Sequence, residues 1–322
     1  MRTNEYYCMS FPFYFDKIKN MCKNKKVLTR DLFPKERVFE IDLLRFFPIL
    51  LVMLFHLMYD FTMLPSLFSN YDEIILRYPT FQNFINWCSD VAFSTYMHDY
   101  LVPFFAGVFL FICGVSTSFS KNNTRRSLLL LFMSFLISLG SYLLSYLLQT
   151  DLFILFGILH IMGLSIFLYS LLELFARKVL KKDVGPLVCF LIGIPIFITG
   201  LVMFHGITID GQLIRWPIKI VGGFPQDMIQ ENPWNIFYSI IGVVANPTDW
   251  WPIFPYLGLI FIGIAVGKIL YPQKKTLFPK VNTKYLKPML FLGRHTIWVY
   301  ILHQPIFIII LASILLPMGF RL

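Results

Sequence analysis

The chain has 322 residues, 57% of them hydrophobic and 14% charged, whereas soluble domains run about 45–50% apolar and about 25% charged. A mean hydropathy of +0.67 points the same way and excludes an ordinary soluble domain. The formal charge of +10 is spread over short segments between apolar runs, as in the loops of membrane proteins, so nucleic acid is not an expected partner.

Residues 1–40 form a basic segment with an aromatic run near Tyr6–Phe15 and nine Lys/Arg. It lacks a small-residue cleavage site, which argues against a signal peptide and for a stretch lying along the inner membrane surface. A spanning helix needs about 20 apolar residues. Seven such runs follow, at 43–64, 101–119, 127–148, 152–175, 184–204, 252–270 and 289–316. The apolar stretch 236–246 is too short to cross and reads as interfacial or re-entrant. The predicted fold is therefore all-α: a polytopic helical bundle of about seven transmembrane helices, with a membrane-embedded domain over 41–322.

Of the 28 Lys and Arg, 23 fall on one side of these spans, four on the other (Arg77, Arg215, Lys219, Arg321), and Arg45 lies within the first span. This bias predicts a multi-pass cell-membrane protein with a cytoplasmic N-terminus and an extracytoplasmic C-terminus. The two long outer segments, roughly 65–100 and 205–251, are rich in Trp, Pro, Asn and Asp and read as ordered. No internal repeat mirrors one half of the chain in the other, as in many transporters. The five cysteines (Cys8, Cys22, Cys88, Cys113, Cys189) are scattered, with no C-x-x-C pair. They predict neither a disulfide framework nor a thiolate metal site.

Ionisable groups inside spans cost about 2.5–3.5 kcal/mol each at a helix centre, so each one needs a reason. The first span carries Asp42, Arg45, His56 and Asp60. At 100° per residue they share a face about 120° wide. His56 and Asp60 are one turn apart, which allows a carboxylate–imidazole hydrogen bond. His160 and His303 fall at similar depths in the fourth and seventh spans, so the three histidines predict one polar pocket. No two of them share an i, i+3 or i, i+4 spacing, and a metal is not expected. Group transfer, proton movement by a transporter and helix pinning all stay open for such a pocket.

Particular strings narrow the choice. Arg45 and His56 form R-x(10)-H, a pattern similar to that of the acyltransferase family 3 membrane enzymes. Further strings are Phe109-Leu110-Phe111-Ile112-Cys113-Gly114, Phe156-Gly157-Ile158-Leu159-His160, Asp249-Trp250-Trp251-Pro252 and Leu292-Gly293-Arg294-His295 running on to His303-Gln304-Pro305. In order, over about 37–316, they resemble the bacterial proteins that share the catalytic domain of heparan-α-glucosaminide N-acetyltransferase. The resemblance implies a multi-pass acyltransferase that takes an acetyl group from cytoplasmic acetyl-CoA and passes it to a sugar amine or hydroxyl on an extracytoplasmic glycan or other acceptor. Acetyl-CoA would be a co-substrate, with no tightly bound cofactor, and a homodimer is a compatible assembly.

On that reading His56 is the base, oriented by Asp60, with His160 and His303 relaying a proton or stabilising the oxyanion. Arg45, Arg294 and His295 would hold the CoA end. Asp249 and Trp250 would meet the acceptor at the outer mouth. Relatives of the lysosomal enzyme place a key histidine before the second span; His98 stands there, but its flanking residues depart from the pattern. The alternatives are a proton-coupled transporter of a solute or acyl group, and a membrane scaffold without chemistry. The charge bias predicts that a reporter fused after Leu322 is active only when it works outside the cytoplasm; activity confined to the cytoplasm contradicts the orientation.

Overall fold

The computed structural model describes residues 38–149, 152–205, 207–209, 212–214, 219–220, 228, 230–245 and 249–321. The expected surface segment over 1–37, and Arg215 among the outer charges, lie outside the described residues; so do the side chains of His98 and Asp99.

From residue 39 onward the chain is helical, with two pairs of very short strands among the described residues. Helix α1 spans Phe39–Leu67, followed by the short α2 (Tyr71–Ile75) and α3 (Pro79–Ala92). A π-helical turn, Tyr96–Leu101, leads into α4 (Val102–Thr117). Then come α5 (Asn123–Leu148), α6 (Ile158–Phe175) and α7 (Pro186–His205). Strands β1 (Ile207–Ile209) and β2 (Gln212–Ile214) pair antiparallel; β3 (Lys219–Ile220) pairs in parallel with β4 (Val244–Ala245). Helix α8 (Asn235–Ile241) lies between β3 and β4, and α9 (Ile253–Leu270), α10 (Lys287–Arg294) and α11 (Thr296–Leu315) complete the chain.

Six of these helices are long and apolar enough to cross a bilayer: α1, α5, α6, α7, α9 and α11. The seventh, α4, has 16 residues; with the preceding turn it reaches roughly 33 Å at 1.5 Å per residue, enough for a ~30 Å core. The protein is thus a multi-pass helical membrane protein, and the seven apolar runs of the sequence correspond to these seven helices. The stretch 236–246 forms α8, of seven residues, far too short to cross.

Helix α9 is the centre, packed between α7 and α4. Its backbone approaches both neighbours closely because the contacts lack side chains: a Cβ on Gly114 would meet the Ile260 carbonyl, and one on Gly193 the Gly258 carbonyl. Small residues let membrane helices pack by van der Waals contact where water supplies no driving force. Around them Leu110, Ile161, Ile166, Tyr169, Cys189, Ile260 and Ile264 form the main buried cluster. At the far end of α1 a second cluster (Leu64, Phe68, Tyr71, Ile75, Leu315, Phe320) ties α2 to the end of α11. There Asn70 donates to the Gly319 carbonyl at 2.9 Å and accepts from Arg321 N at 2.8 Å.

One predicted span needs correction. The run 152–175 is apolar throughout, but helix α6 begins only at Ile158; residues 152–157 are not helical. Ser138, which bonds this segment, lies ten residues from the end of α5, about 15 Å along the helix. Backbone that deep in a bilayer must find partners within the protein. Helix α5 supplies them from a serine stripe. Ser145 Oγ accepts from Leu152 N at 2.9 Å, Ser141 Oγ from Ile154 N at 3.0 Å, and Ser138 Oγ donates to Ile154 O at 2.8 Å. From the opposite side Trp251 N donates to Phe156 O at 3.0 Å.

Ser141→Ala leaves the Ile154 N–H unpaired, a loss of about 1–3 kcal/mol, and is expected to lower the thermal unfolding temperature in detergent. Ser313→Ala, which removes a hydroxyl bonded only within its own helix, should leave it unchanged; equal effects contradict the stripe's role.

Candidate functional site

The polar face predicted on α1 packs along α4, α10 and α11 and finds a partner at each level. At the end where α1 begins, Asp42 is buried. Its carboxylate pairs with Arg294 Nε at 3.0 Å and with Arg45 at 3.6 Å, while Arg45 also donates to Ser116 Oγ on α4. Close approach of α10 requires Gly293, since a Cβ there would overlap the Asp42 carbonyl. Two residues earlier Glu40 accepts from Thr276 Oγ1 and Leu277 N, both at 2.7 Å. Burial, with the Glu40 carboxylate beside it, pushes the Tyr271 hydroxyl up to about 12, so it remains a donor at neutral pH.

Deeper along α1, the His56 ring meets the His303 ring at 5.1 Å between centroids, and Asp60 accepts from Gln304 Nε2. The expected hydrogen bond between His56 and Asp60 is not made among the described residues. Helix α11 offers His303 and Gln304 at the matching levels, so His56 and Asp60 meet partners across the helix interface instead of each other.

The second half of the site forms where the two non-helical entries to α6 and α9 meet. Asp249, at φ 39°, directs its carboxylate to the first turn of α6. It accepts from Trp251 Nε1 at 2.6 Å, from Tyr300 Oη at 3.0 Å and from the Ile158 backbone N–H. A carboxylate at a helix N-terminus is favoured by the helix dipole. Only glycine fits at 157, where a Cβ would stand 2.5 Å from Asp249 Oδ2.

The tautomers follow from the partners. His160 Nδ1 accepts from Gly157 N at 3.1 Å. Ser138 spends its own proton on Ile154 O, so His160 Nε2 carries hydrogen and donates to Ser138 Oγ at 3.0 Å. Both nitrogens of His160 thus hold the non-helical segment in place. His303 differs. Its Nδ1 lies 2.5 Å from the Tyr300 carbonyl, which only accepts, so Nδ1 carries the proton. Its Nε2 is a bare lone pair, buried and without a partner. Tyr300 links the two halves, bonding Asp249 while its ring lies 5.6 Å from that of His303.

Between the Asp42 end and this layer lies a cavity of about 200 Å³, lined by Arg45, Arg126 and Arg294 and by Cys113, Met162 and Ile297. Met162 is two residues from His160, and Ile297 three from Tyr300, so the helices that line the cavity also carry the acid–imidazole layer. Arg45 and Arg294 share it as predicted. His295 does not reach it: its ring is exposed and donates to Phe291 O at 2.8 Å. Trp250 is also held elsewhere, donating to Ser239 O at 2.9 Å, whereas its neighbour Trp251 bonds Asp249. Residues the sequence reading missed are Tyr300, Gln304, Ser138 and Arg126. Tyr300 and Gln304 carried a signal, three residues before His303 and one after it, facing the same neighbour helix. Arg126 was counted as loop charge and instead opens α5.

Residues 80–305 match the family of the catalytic domain of heparan-alpha-glucosaminide N-acetyltransferase. The matched stretch holds His160, Asp249, Tyr300, His303, Arg126 and Arg294; Arg45, His56 and Asp60 precede it. No curated protein and no solved structure matches the chain. Because the match runs over well more than half of the sequence, this chain belongs to the heparan-alpha-glucosaminide N-acetyltransferase catalytic family.

Proposed function

We propose that the protein transfers an acetyl group from cytoplasmic acetyl-CoA to a sugar amine or hydroxyl on the extracytoplasmic side. The observation that carries this reading is the cavity lined by Arg45, Arg126 and Arg294, whose wall includes the first turn of α11, the helix that also carries Tyr300 and His303. Its three guanidiniums, from Arg45, Arg126 and Arg294, are donors for the pantetheine carbonyls and for a phosphate at its mouth. The cavity is smaller than the roughly 300–1,000 Å³ of pockets for drug-sized ligands. It therefore suits the acyl-pantetheine end, with the nucleotide outside against the basic loops. The run of α1 from Arg45 to His56, about 16 Å, is comparable to an extended pantetheine arm.

In this account the acceptor's nitrogen or oxygen attacks the thioester carbonyl carbon, and the carbon–sulfur bond breaks. His303 Nε2, beside His56, takes the acceptor's proton and returns it to the departing CoA sulfur. Tyr300 and His160 act as positioning residues, since their polar atoms are engaged by Asp249 and by Gly157 N and Ser138 Oγ. A proton-coupled carrier is the second reading, supported by the two non-helical entries meeting inside the bundle, a feature of transporters. The transferase reading accounts for the arginines as well.

With radiolabelled acetyl-CoA and an amino-sugar acceptor, Arg126→Ala is expected to raise KM for acetyl-CoA about tenfold with kcat little changed. His303→Ala should lower kcat by about 10²–10⁴-fold. Near wild-type turnover in His303→Ala removes it from the chemistry, and solute flux without CoA binding favours the carrier.

A further inference from the structure

The carboxylates of Asp42, Asp249 and Asp60 are satisfied very differently. Asp42 faces two arginines. Asp249 accepts three hydrogen bonds. Asp60 accepts one, from Gln304 Nε2 to Oδ1. Its Oδ2 is buried without a partner, and so is the Oε1 of the same Gln304. Among the described residues no Lys or Arg pairs with Asp60, and the titratable groups around it are Tyr59 and His56 on α1 and His303 on α11. A carboxylate carrying its charge into the membrane with a single neutral donor is a costly arrangement. Two orphaned acceptors on two side chains already bonded to each other are costlier still.

One proton removes every part of this cost. Carried on Asp60 Oδ2 it makes the group neutral and gives it an O–H to donate. The natural acceptor is Gln304 Oε1, which closes an eight-membered acid–amide ring: Gln304 N–H to Asp60 Oδ1, Asp60 O–H to Gln304 Oε1. Swapping the Gln304 oxygen and nitrogen would not achieve this, because an amide oxygen facing an ionised carboxylate gains no donor.

We propose that Asp60 is a protonated carboxylic acid in the resting protein, locked with Gln304 as a neutral pair that clamps the first span to the last. Asp60 is then a positioning residue that sets the register of α1 on α11 and so holds His56 against His303. It is not an ionised partner that stabilises an imidazolium. The proposal concerns the resting protein and stands apart from the acyl-transfer reading.

The test is infrared spectroscopy of the purified full chain in lipid nanodiscs at pH 7, with and without ¹³C-aspartate. The expected result is a protonated-carboxyl C=O stretch that moves down on labelling and is absent from the spectrum of Asp60→Asn. In Gln304→Leu the band should persist but move to higher wavenumber, because the O–H has lost its acceptor. That variant keeps the test decisive if Asp60→Asn folds poorly. Thermal unfolding should rank Asp60→Asn, which rebuilds the ring as an amide pair, close to wild type and above Asp60→Ala. A wild-type spectrum with no protonated-carboxyl band that depends on Asp60, or an Asp60→Asn protein as unstable as Asp60→Ala, overturns the proposal.

Discussion

Inside a bilayer a peptide group must be hydrogen-bonded within the protein, and the site depends on how this chain meets that demand where it abandons the helix. Residues 152–157 run non-helically about halfway across, which is possible because α5 sets Ser138, Ser141 and Ser145 along one stripe to bond them. The consequence is geometric. Helix α6 starts deep in the bundle, with its first N–H groups free to face Asp249 instead of the membrane surface. His160, one turn in, closes the arrangement by bonding both the segment and the serine stripe.

The same logic explains the polar face of α1. Its charged and polar groups are tolerated because each meets a partner across a helix interface: Asp42 on Arg294, Arg45 on Ser116, His56 on His303, Asp60 on Gln304. These rungs hold α1 against α10 and α11 where hydrophobic packing alone would not specify register, since lipid is as apolar as leucine. Among the described residues, His303 Nε2 is the imidazole nitrogen of this network that is buried with an available lone pair. That is the property a proton acceptor requires.

Much of this was legible in the residues. Span number follows from apolar run length, and the shared face of Asp42, Arg45, His56 and Asp60 from helical periodicity. Helical breaks within apolar runs were not legible: 152–157 has the hydropathy of a span, and only the serines of another helix make its non-helical backbone affordable. Partner choice was hidden for a related reason. Spacing along α1 brings His56 and Asp60 within reach of each other, but the competing partners on α11 are 244 residues or more away in sequence. The adjacent Trp250 and Trp251 were likewise indistinguishable until the bend at Asp249 turned one toward the carboxylate and the other toward Ser239.

The arrangement suggests why a transferase would be built across a membrane. The arginine-lined cavity and the imidazole pair are both built from α1 and α11, so on the proposed reading the acyl group need travel no farther than the carrier's own arm. The decisive measurement uses proteoliposomes of known orientation, with labelled acetyl-CoA supplied only on the side facing the basic loops and an amino sugar trapped only on the other. The account predicts labelled N-acetyl sugar in the acceptor compartment and free CoA in the donor compartment. Product that forms only when both substrates share one compartment would contradict it.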